Sequence, residues 1–173
     1  MRIETERLAL RPWQVGDEAA LVRHANNRKV WLNLRDRFPH PYTLEHARDW
    51  IQRRAGDSDP IPNLAIEHGG EAIGGIGLLP LEDVARFTAE VGYWLGEAYW
   101  GRGFAAEALR HFSVYVFESF HFERLEAWVF TTNAASARVL EKAGYEHEAT
   151  TRRSVFKDGR FLDCYLYTRF RPR

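Results

Sequence analysis

The chain has 173 residues, 45% hydrophobic and 14% aromatic, which suits one packed domain over residues 1–173 and excludes a disordered chain. Its 24 Lys and Arg residues balance 24 Asp and Glu residues, and this zero net charge disfavours a general nucleic-acid binder. Cys164 stands alone, which excludes an internal disulfide and a thiolate metal cluster. No apolar N-terminal signal core and no run of about 20 apolar residues is present, so we expect a cytoplasmic protein without a membrane partner.

The N-terminal third of the chain predicts one strand and two helices. Residues 5–11 alternate between apolar and polar side chains, which is typical of a strand. Asp17 is placed to cap a following helix, and residues 30–32 are expected to add a turn. Thr43 is placed to cap a second helix that extends to Arg54.

The rest of the chain alternates strands with two further helices and ends in a hairpin. Gly74, Gly75 and Gly77 within one strand indicate a bulge or a close approach of the backbone. Asp158–Gly159 marks the turn of the hairpin. The order predicts a mixed α/β domain with one central sheet. The predicted elements are strands at 64–66, 72–79, 87–95 and 125–130, helices at 103–120 and 134–143, and paired strands at 145–153 and 161–170.

The stretch from Glu90 to Leu109 runs from a strand through a glycine-rich loop into a helix. The first N–H groups of a helix lack partners inside it, and the helix dipole favours an anion there. Gly101 and Gly103 allow the backbone to approach a phosphate closely, and Arg102 adds a positive charge. The alternative is a glycine turn that only joins the strand to the helix. A nucleoside triphosphatase is disfavoured because the Gly-x-x-x-x-Gly-Lys-Ser/Thr pattern is missing.

Several segments resemble motifs of the GNAT superfamily of N-acetyltransferases. Residues 100–105, Trp-Gly-Arg-Gly-Phe-Ala, match the glycine signature (Gln or Arg)-x-x-Gly-x-(Gly or Ala) except at Trp100. Residues 133–145 are similar to the family segment that begins with an asparagine and ends in Glu-Lys-x-Gly-Tyr. Residues 5–11 and 41–50 also resemble the branch that contains ribosomal-protein N-terminal acetyltransferases. The resemblance therefore covers nearly the whole chain.

This resemblance implies an acetyl-CoA-dependent N-acetyltransferase with the GNAT fold. That fold is a single mixed, mostly antiparallel sheet, flanked by helices and splayed beside a bulge at the cofactor site. The loop N–H groups would bind the pyrophosphate of coenzyme A, and one strand would offer main-chain groups to the pantetheine. Asn133 would bind the pantetheine amides, cap the next helix, or do both. The implied cofactor-binding residues are Tyr93, Trp94, Leu95, Trp100, Gly101, Arg102, Gly103, Phe104, Ala105, Ala106 and Asn133.

Acetyl transfer needs a neutral amine and a proton for the leaving thiolate, so the site needs proton-transferring residues. The resemblance implies that Ser136 protonates the thiolate, although a serine there can also make only local hydrogen bonds. Glu90, at the start of the signature strand, is predicted to be the base, and the alternative is a strand glutamate paired with an arginine. Leu140 and Val155 replace the tyrosine and the glutamate that relatives use.

The acceptor is expected to be a primary amine, at a protein N-terminus or on a small molecule. Residues 61–100 hold few cations, which predicts an acidic acceptor side. No metal is expected because the histidines lack metal spacing, and the protein is expected to be a monomer or a homodimer. The residues expected to line the acceptor side are Asn33, Arg35, Asp36, Phe38, His40 and Tyr42, with the loop near Arg153 and Phe156.

Two other functions remain open from the sequence. A non-catalytic acyl-CoA sensor or interaction protein is favoured by the replacements at Leu140 and Val155. Nucleic-acid binding by Arg169, Arg171 and Arg173 is disfavoured, because these residues belong to no aromatic-interleaved motif of a known module. No nucleic-acid partner is therefore expected.

Overall fold

One eight-stranded mixed sheet forms the centre of the protein in the computed structural model, which describes residues 1–173. Two short 3₁₀ turns, Asp83–Ala85 and Glu97–Tyr99, lie in the connections. In chain order the elements are β1 (Ile3–Glu4), β2 (Ala9–Pro12), α1 (Glu18–Ala25), α2 (Arg28–Trp31), α3 (Leu44–Arg54), β3 (Asn63–His68), β4 (Glu71–Pro80), β5 (Thr88–Leu95), α4 (Phe104–Ser119), β6 (Arg124–Phe130), α5 (Ala134–Lys142), β7 (Glu146–Lys157) and β8 (Arg160–Phe170).

The sheet opens between β5 and β6. The strand order is β1-β2-β3-β4-β5-β6-β8-β7, and every neighbouring pair is antiparallel except β5–β6. These two parallel strands pair only where residues 88–90 face residues 124–126. Beyond that point they are unpaired with each other, which confirms the predicted mixed, mostly antiparallel sheet that is splayed in its middle.

The bulge expected at the opening lies elsewhere. The β4–β5 ladder stays in register over all seven pairs from Gly74–Leu95 to Pro80–Ala89. The register shift instead falls between Ile66 and Glu67, in the β3–β4 pair. The opening therefore follows from the early end of the β5–β6 pairing and needs no extra residue in β5.

The two faces of the sheet carry different helices and separate cores. Side chains alternate between the faces of a strand, so Leu64 and Ile66 lie on one face and Ala65 on the other. Leu64 and Ile66 pack in the larger core with Phe112 of α4. Ala65 packs in the smaller core with Leu21 of α1 and with residues of α3. The α1–α3 face and the α4–α5 face are therefore distinct.

Two local predictions in the N-terminal third were wrong. Residues 5–11 are not one strand, because the N–H of Thr5 donates to the carbonyl of Leu8 over 2.9 Å and turns the chain between β1 and β2. Asp17 precedes α1 but makes no side-chain cap bond. Its carboxylate instead accepts two hydrogen bonds from the buried Arg11 guanidinium, at 2.8 and 2.9 Å. The buried Arg11 needs a charged partner, whereas water can bond to the free N–H groups at the start of α1. The Asp17 carboxylate therefore pairs with Arg11 instead of capping the helix.

Other local predictions were confirmed. Thr43 caps α3 in a capping box with His46. The turn at residues 30–32 belongs to a separate short helix, α2, which the Asn27 side chain caps. Asp158 and Gly159 have φ angles of +50° and +77° at the hairpin turn, as the primed turn types require.

The glycines of β4 allow the close approach that their spacing predicted. A Cβ atom at Gly74 would lie 2.3 Å from the carbonyl oxygen of Trp94. One at Gly77 would lie 2.1 Å from Oδ1 of Asn63, and one at Gly75 would lie 2.9 Å from Nε1 of Trp94. Larger residues at these positions would displace neighbouring backbone and side chains.

Candidate active site

The loop before α4 forms a nest of free backbone donors. Gly101 and Gly103 have φ angles of +74° and +79°, in the left-handed region that favours glycine. None of the N–H groups of residues 101–106 donates a hydrogen bond within the chain. A Cβ atom at Gly101 would meet nothing within 4 Å, so the loop is open on this side. Six free donors at the start of a sixteen-residue helix fit an anion such as a pyrophosphate.

The side chain of Trp100 holds this loop against the end of β5. Its indole Nε1 donates to the carbonyl oxygen of Leu95 over 2.8 Å, which ties the loop back to the end of β5. Leu95 therefore has its carbonyl engaged, although the sequence predicted it to serve the pantetheine. Arg102 places its guanidinium 5.5 Å from the ring centroid of Tyr99.

The turn between β1 and β2 braces the loop from the other side. The Arg7 guanidinium donates to the Arg102 carbonyl oxygen over 2.8 Å. The Glu107 carboxylate, 4% exposed, accepts bonds from the Thr5 hydroxyl at 2.6 Å, the Arg7 N–H at 2.7 Å and the Arg7 side chain at 2.8 Å. Burial by itself raises the pKa of Glu107. The hydrogen bonds from Thr5 and Arg7 lower it by more, so the pKa is lowered overall. Arg7 and Glu107 were not among the predicted site residues, although an acidic residue in the first helical turn was a signal.

A cavity of about 1500 Å³ runs through the opening of the sheet. It contains every predicted cofactor-binding and catalytic residue except Arg102, and of the predicted acceptor residues His40 and Arg153 do not line it. One end of the cavity is the loop before α4, and the other lies against the α1–α3 face. The predicted residues that line the cavity are Glu90, Tyr93, Trp94, Leu95, Trp100, Gly101, Gly103, Phe104, Ala105, Ala106, Asn133 and Ser136.

The start of α5 brings two hydroxyl groups together. The Tyr93 hydroxyl lies 2.8 Å from Oγ of Ser136. The side chain of Asn133 accepts a hydrogen bond from the Ser136 N–H at 3.1 Å. Asn133 therefore caps α5, which is one of the two roles predicted for it. Burial raises the pKa of Tyr93 well above its usual value, although the bond to Ser136 lowers it in part. The phenol therefore stays protonated, and the pair has protons to share.

Glu90 is held by an arginine of the loop that follows α2. Nη2 of Arg35 donates to both carboxylate oxygens, at 2.5 and 2.6 Å. The side chain of Glu90 is 16% exposed and lines the cavity. The alternative in which Glu90 pairs with an arginine is therefore present in the structure, and its role as a base stays a prediction.

Two ion pairs hold the turn between β7 and β8 against the predicted acceptor side. Nζ of Lys157, 3% exposed, donates to Asp36 over 2.7 Å and lies 3.6 Å from the ring centroid of Trp31. Arg28 donates to Asp158 over 2.8 Å. Both ion pairs join α2 and its following loop to the hairpin.

The predicted acidic character of the acceptor side was wrong. Residues 61–100 hold few cations, but the wall is built mostly from α3, the loop after α2 and the hairpin. Tyr42 lies in this wall, and burial raises its pKa to about 12. The charged residues that line this side are Arg35, Arg37, Arg53, Arg54 and Lys157 against Asp36, Asp49 and Glu90.

The remaining predicted residues have separate positions. Leu140 is fully buried, and Val155 lines the cavity without a polar group, so neither transfers a proton. His40 stacks on Trp31 with 5.6 Å between ring centroids. The structure contains no group of three or more His, Cys, Asp or Glu residues that could hold a metal ion. None of its helices combines the length and the apolar character needed to span a bilayer.

A sheet that opens beside free N–H groups at a helix start, with a carboxylate and a pair of hydroxyl groups at the opening, fits the class of coenzyme A-dependent acyltransferases. Comparison with known proteins narrows this class. The profile of the acetyltransferase (GNAT) domain matches residues 7–146, and the chain belongs to this family. It is 30% identical over 172 residues to p20, an uncharacterized N-acetyltransferase of Bacillus licheniformis, covering 95% of this chain and 93% of that protein.

Solved structures of similar fold include two with coenzyme A or its acetyl ester. RimL, a ribosomal L7/L12 alpha-N-protein acetyltransferase in complex with coenzyme A, has a TM-score of 0.84 and 20% identity over 98% of each chain. The microcin C7 self-immunity acetyltransferase MccE, in complex with acetyl-CoA and AMP, has a TM-score of 0.80 and 18% identity, covering 95% of this chain and 93% of the other. The protein is an acetyl-CoA-dependent N-acetyltransferase of the GNAT family.

Proposed function

We propose that the protein transfers the acetyl group of acetyl-CoA directly to a primary amine while both substrates occupy one cavity. The amine belongs to a protein N-terminus or to a small molecule. The observation that carries this proposal is that Glu90 and the Tyr93–Ser136 pair line the same opening. Adjacent residues of a strand point to opposite faces, so Glu90 lies on the α1–α3 face and Tyr93 on the α4–α5 face. A proton acceptor and a proton donor thus lie on the two sides of the place where transfer occurs.

The free N–H groups of residues 101–106 hold the pyrophosphate, and the unpaired edge of β5 at Tyr93 and Trp94 faces the pantetheine. Asn133 uses its Oδ1 for the helix cap, which leaves its amide N–H₂ to donate to the pantetheine. Coenzyme A supplies the acetyl group as a thioester.

Glu90 takes a proton from the acceptor ammonium, directly or through a water molecule, so that the amine can attack. Arg35 donates to both carboxylate oxygens, so it must release one of them first. An ammonium group can replace it there, because it carries the same charge. Ser136 donates its hydroxyl proton to the departing sulfur and takes a proton from Tyr93 through their 2.8 Å contact. The second proton that the nitrogen loses as the amide forms returns through water to Tyr93, and Glu90 releases its proton to solvent.

The Glu90→Gln variant tests this proposal. We expect kcat/KM to fall by about 100-fold at pH 7, as is common when a general base is lost. The loss should shrink at higher pH, where more of the amine is already neutral. The measurement is thiol release from acetyl-CoA over a range of pH values.

Glu126→Gln is the matched control, because Glu126 faces Glu90 across the β5–β6 pair but lies outside the cavity. It should keep its activity at every pH. A defect of Glu90→Gln that does not change with pH, or no defect, would contradict the role of Glu90.

A non-catalytic acyl-CoA sensor is the second candidate, because Leu140 and Val155 carry no proton-transferring group. It predicts that acetyl-CoA raises the unfolding temperature while no amine releases thiol. Nucleic-acid binding has less support. Arg169 donates to the carbonyl of Ala143, and Arg171 donates to the carbonyls of residues 117, 120 and 122. A cytoplasmic location and a monomer or homodimer remain part of the proposal.

A further inference from the structure

We propose that the acceptor amine carries a planar aromatic group, which binds in an aromatic pocket on the α1–α3 face of the sheet. The inference rests on the proposed function and names the substrate class of the same cavity. We define the aromatic pocket by five residues that all line the cavity: Trp13, Phe38, Tyr42, Trp50 and Trp94.

The rings of the aromatic pocket face one another at contact distance. The ring of Phe38 lies 5.1 Å from that of Tyr42 and 5.5 Å from that of Trp94, measured between centroids. Trp13 and Trp50 meet edge to face at 6.5 Å. Edge-to-face and tilted arrangements of this kind are the ones that aromatic rings prefer. A further aromatic ring therefore finds both faces and edges to pack against.

The floor of the pocket is made flat by glycine. A Cβ atom at Gly75 would lie 2.9 Å from Nε1 of Trp94 and 3.1 Å from Cζ2 of Trp13. The two indoles therefore lie directly against the strand backbone at this glycine. Glu90, Gly92 and Trp94 alternate along the same face of β5, and nothing lies within 4 Å of a Cβ placed at Gly92. Each step between them is roughly 7 Å. An amine over Gly92 thus has the proposed base on one side and the aromatic pocket on the other.

One hydrogen-bond donor of the pocket lacks an acceptor, and so does a second donor on the adjoining cavity wall. Nε1 of Trp13 is buried and has no partner, and the residue is only 5% exposed. Nε of Arg54 is likewise buried without a partner. A buried donor that stays unpaired destabilises the protein. A ligand that carries a carbonyl, carboxylate or other acceptor atom next to its ring would satisfy such a donor.

The charges of the pocket oppose a polycationic acceptor. Arg54 already lies over the ring of Trp50, 5.0 Å from its centroid, and Arg53 is its neighbour on the cavity wall. A ligand cation would meet like charge there instead of a free aromatic face. The pocket therefore fits a neutral or anionic aromatic substituent and disfavours a polyamine.

The test compares amines that differ in one feature. L-phenylalaninamide, L-cyclohexylalaninamide and L-alaninamide share the amine and the carbonyl acceptor but differ in the ring, and spermidine supplies the polycation. We expect kcat/KM for phenylalaninamide to exceed that for alaninamide by about 10-fold or more, with the cyclohexyl amide between them. Spermidine should be the poorest acceptor. An equal or better rate with alaninamide or spermidine would overturn the inference and leave the proposed function intact.

Two variants connect the preference to the aromatic pocket. Phe38→Leu should reduce the phenylalaninamide-to-alaninamide ratio of kcat/KM toward one, and Trp13→Phe should reduce it less while removing the unpaired N–H. Coenzyme A affinity measured on both variants reports that they are folded. A ratio that neither variant changes would contradict the assignment. Peptides that begin with alanine or serine are tested separately. If none of the amines and none of the peptides causes thiol release, both proposals are overturned.

Discussion

At the scale of single residues, the proposed proton donor of the site comes from an unexpected pair of elements. The α5 position where relatives carry a tyrosine is the fully buried Leu140. The phenol near Ser136 comes instead from Tyr93 on β5, 43 positions earlier in the chain. A phenol hydroxyl is thus present in the same opening although α5 carries none at position 140.

Ser136→Ala is expected to lower kcat by about 10- to 100-fold, because the departing sulfur loses its proton donor. The affinity for acetyl-CoA should change little, since Asn133 still caps α5. Tyr93→Phe should lower kcat less, because Ser136 can recover its proton from water. Single-turnover kinetics and equilibrium binding separate these two effects.

A second serine–tyrosine pair provides the control. Oγ of Ser113 lies 2.9 Å from the Tyr145 hydroxyl inside the larger core, and neither residue lines the cavity. Tyr145→Phe should lower the free energy of unfolding by about 1 kcal/mol without changing kcat per folded molecule. An equal loss of kcat in both tyrosine variants would indicate a general packing effect and contradict the role of Ser136.

At the scale of elements, the β1–β2 turn holds the loop before α4, the proposed pyrophosphate site, in place. Arg7 bonds the loop carbonyl of Arg102, and Glu107 bonds both Thr5 and Arg7. The first turn of α4 and the N-terminal turn are therefore one rigid unit. Helix position and loop conformation depend on each other through this contact.

Glu107→Gln should weaken coenzyme A binding by about 10-fold, because a loss of roughly 1.4 kcal/mol in loop ordering corresponds to that factor. Isothermal titration calorimetry measures it. Glu6→Gln is the control, since Glu6 lies in the same turn but pairs with Arg110 on the surface. An equal loss in both variants would contradict the positioning role of Glu107.

The same carboxylate predicts a pH dependence of stability. The pKa of Glu107 is lower in the folded protein than the value of about 4.3 in an unfolded chain. Its contribution is therefore fully present above about pH 4.3 and is lost as the pH falls through the folded-state pKa. Glu107→Gln should flatten the fall of the unfolding free energy with acid, measured by urea titration. An unchanged slope would show that other carboxylates dominate it.

At the scale of the whole molecule, the cavity lies between the α1–α3 face, the α4–α5 face and the hairpin of β7 and β8. The Lys157–Asp36 pair joins positions 121 apart in the chain and closes the hairpin over the acceptor side. The buried ammonium also lies against Trp31. The proposed acceptor side is therefore built from segments that are far apart in the chain.

Asp36→Asn should raise the acceptor KM by about 3- to 10-fold, because Lys157 loses its charged partner and the hairpin is less firmly held. Coenzyme A affinity should not change, since its loop is at the other end of the cavity. Asp83→Asn, in an exposed turn outside the cavity, is the control. A larger effect on coenzyme A binding than on the acceptor KM would contradict this assignment.

Local features of the chain were predictable because they depend on neighbouring residues. The Thr43 cap, the Asp158–Gly159 turn and the left-handed Gly101 and Gly103 follow from side-chain and backbone preferences over a few positions. Asp17 failed as a cap because the partner that its carboxylate found, Arg11, depends on burial. A local conformational preference is overridden where a tertiary contact provides a stronger hydrogen bond.

The sequence by itself determined the family, the order of most elements and the glycine loop before α4, since each of these is encoded in short continuous segments. Only the tertiary structure decided which side chains meet at the opening of the sheet. Arg35 meets Glu90 from 55 positions away, and Tyr93 meets Ser136 from 43. The net charge of zero is divided unevenly, with cations in excess on the acceptor wall, because residues distant in the chain gather there. Such pairings depend on the packing of the whole sheet and its helices, which no local pattern specifies.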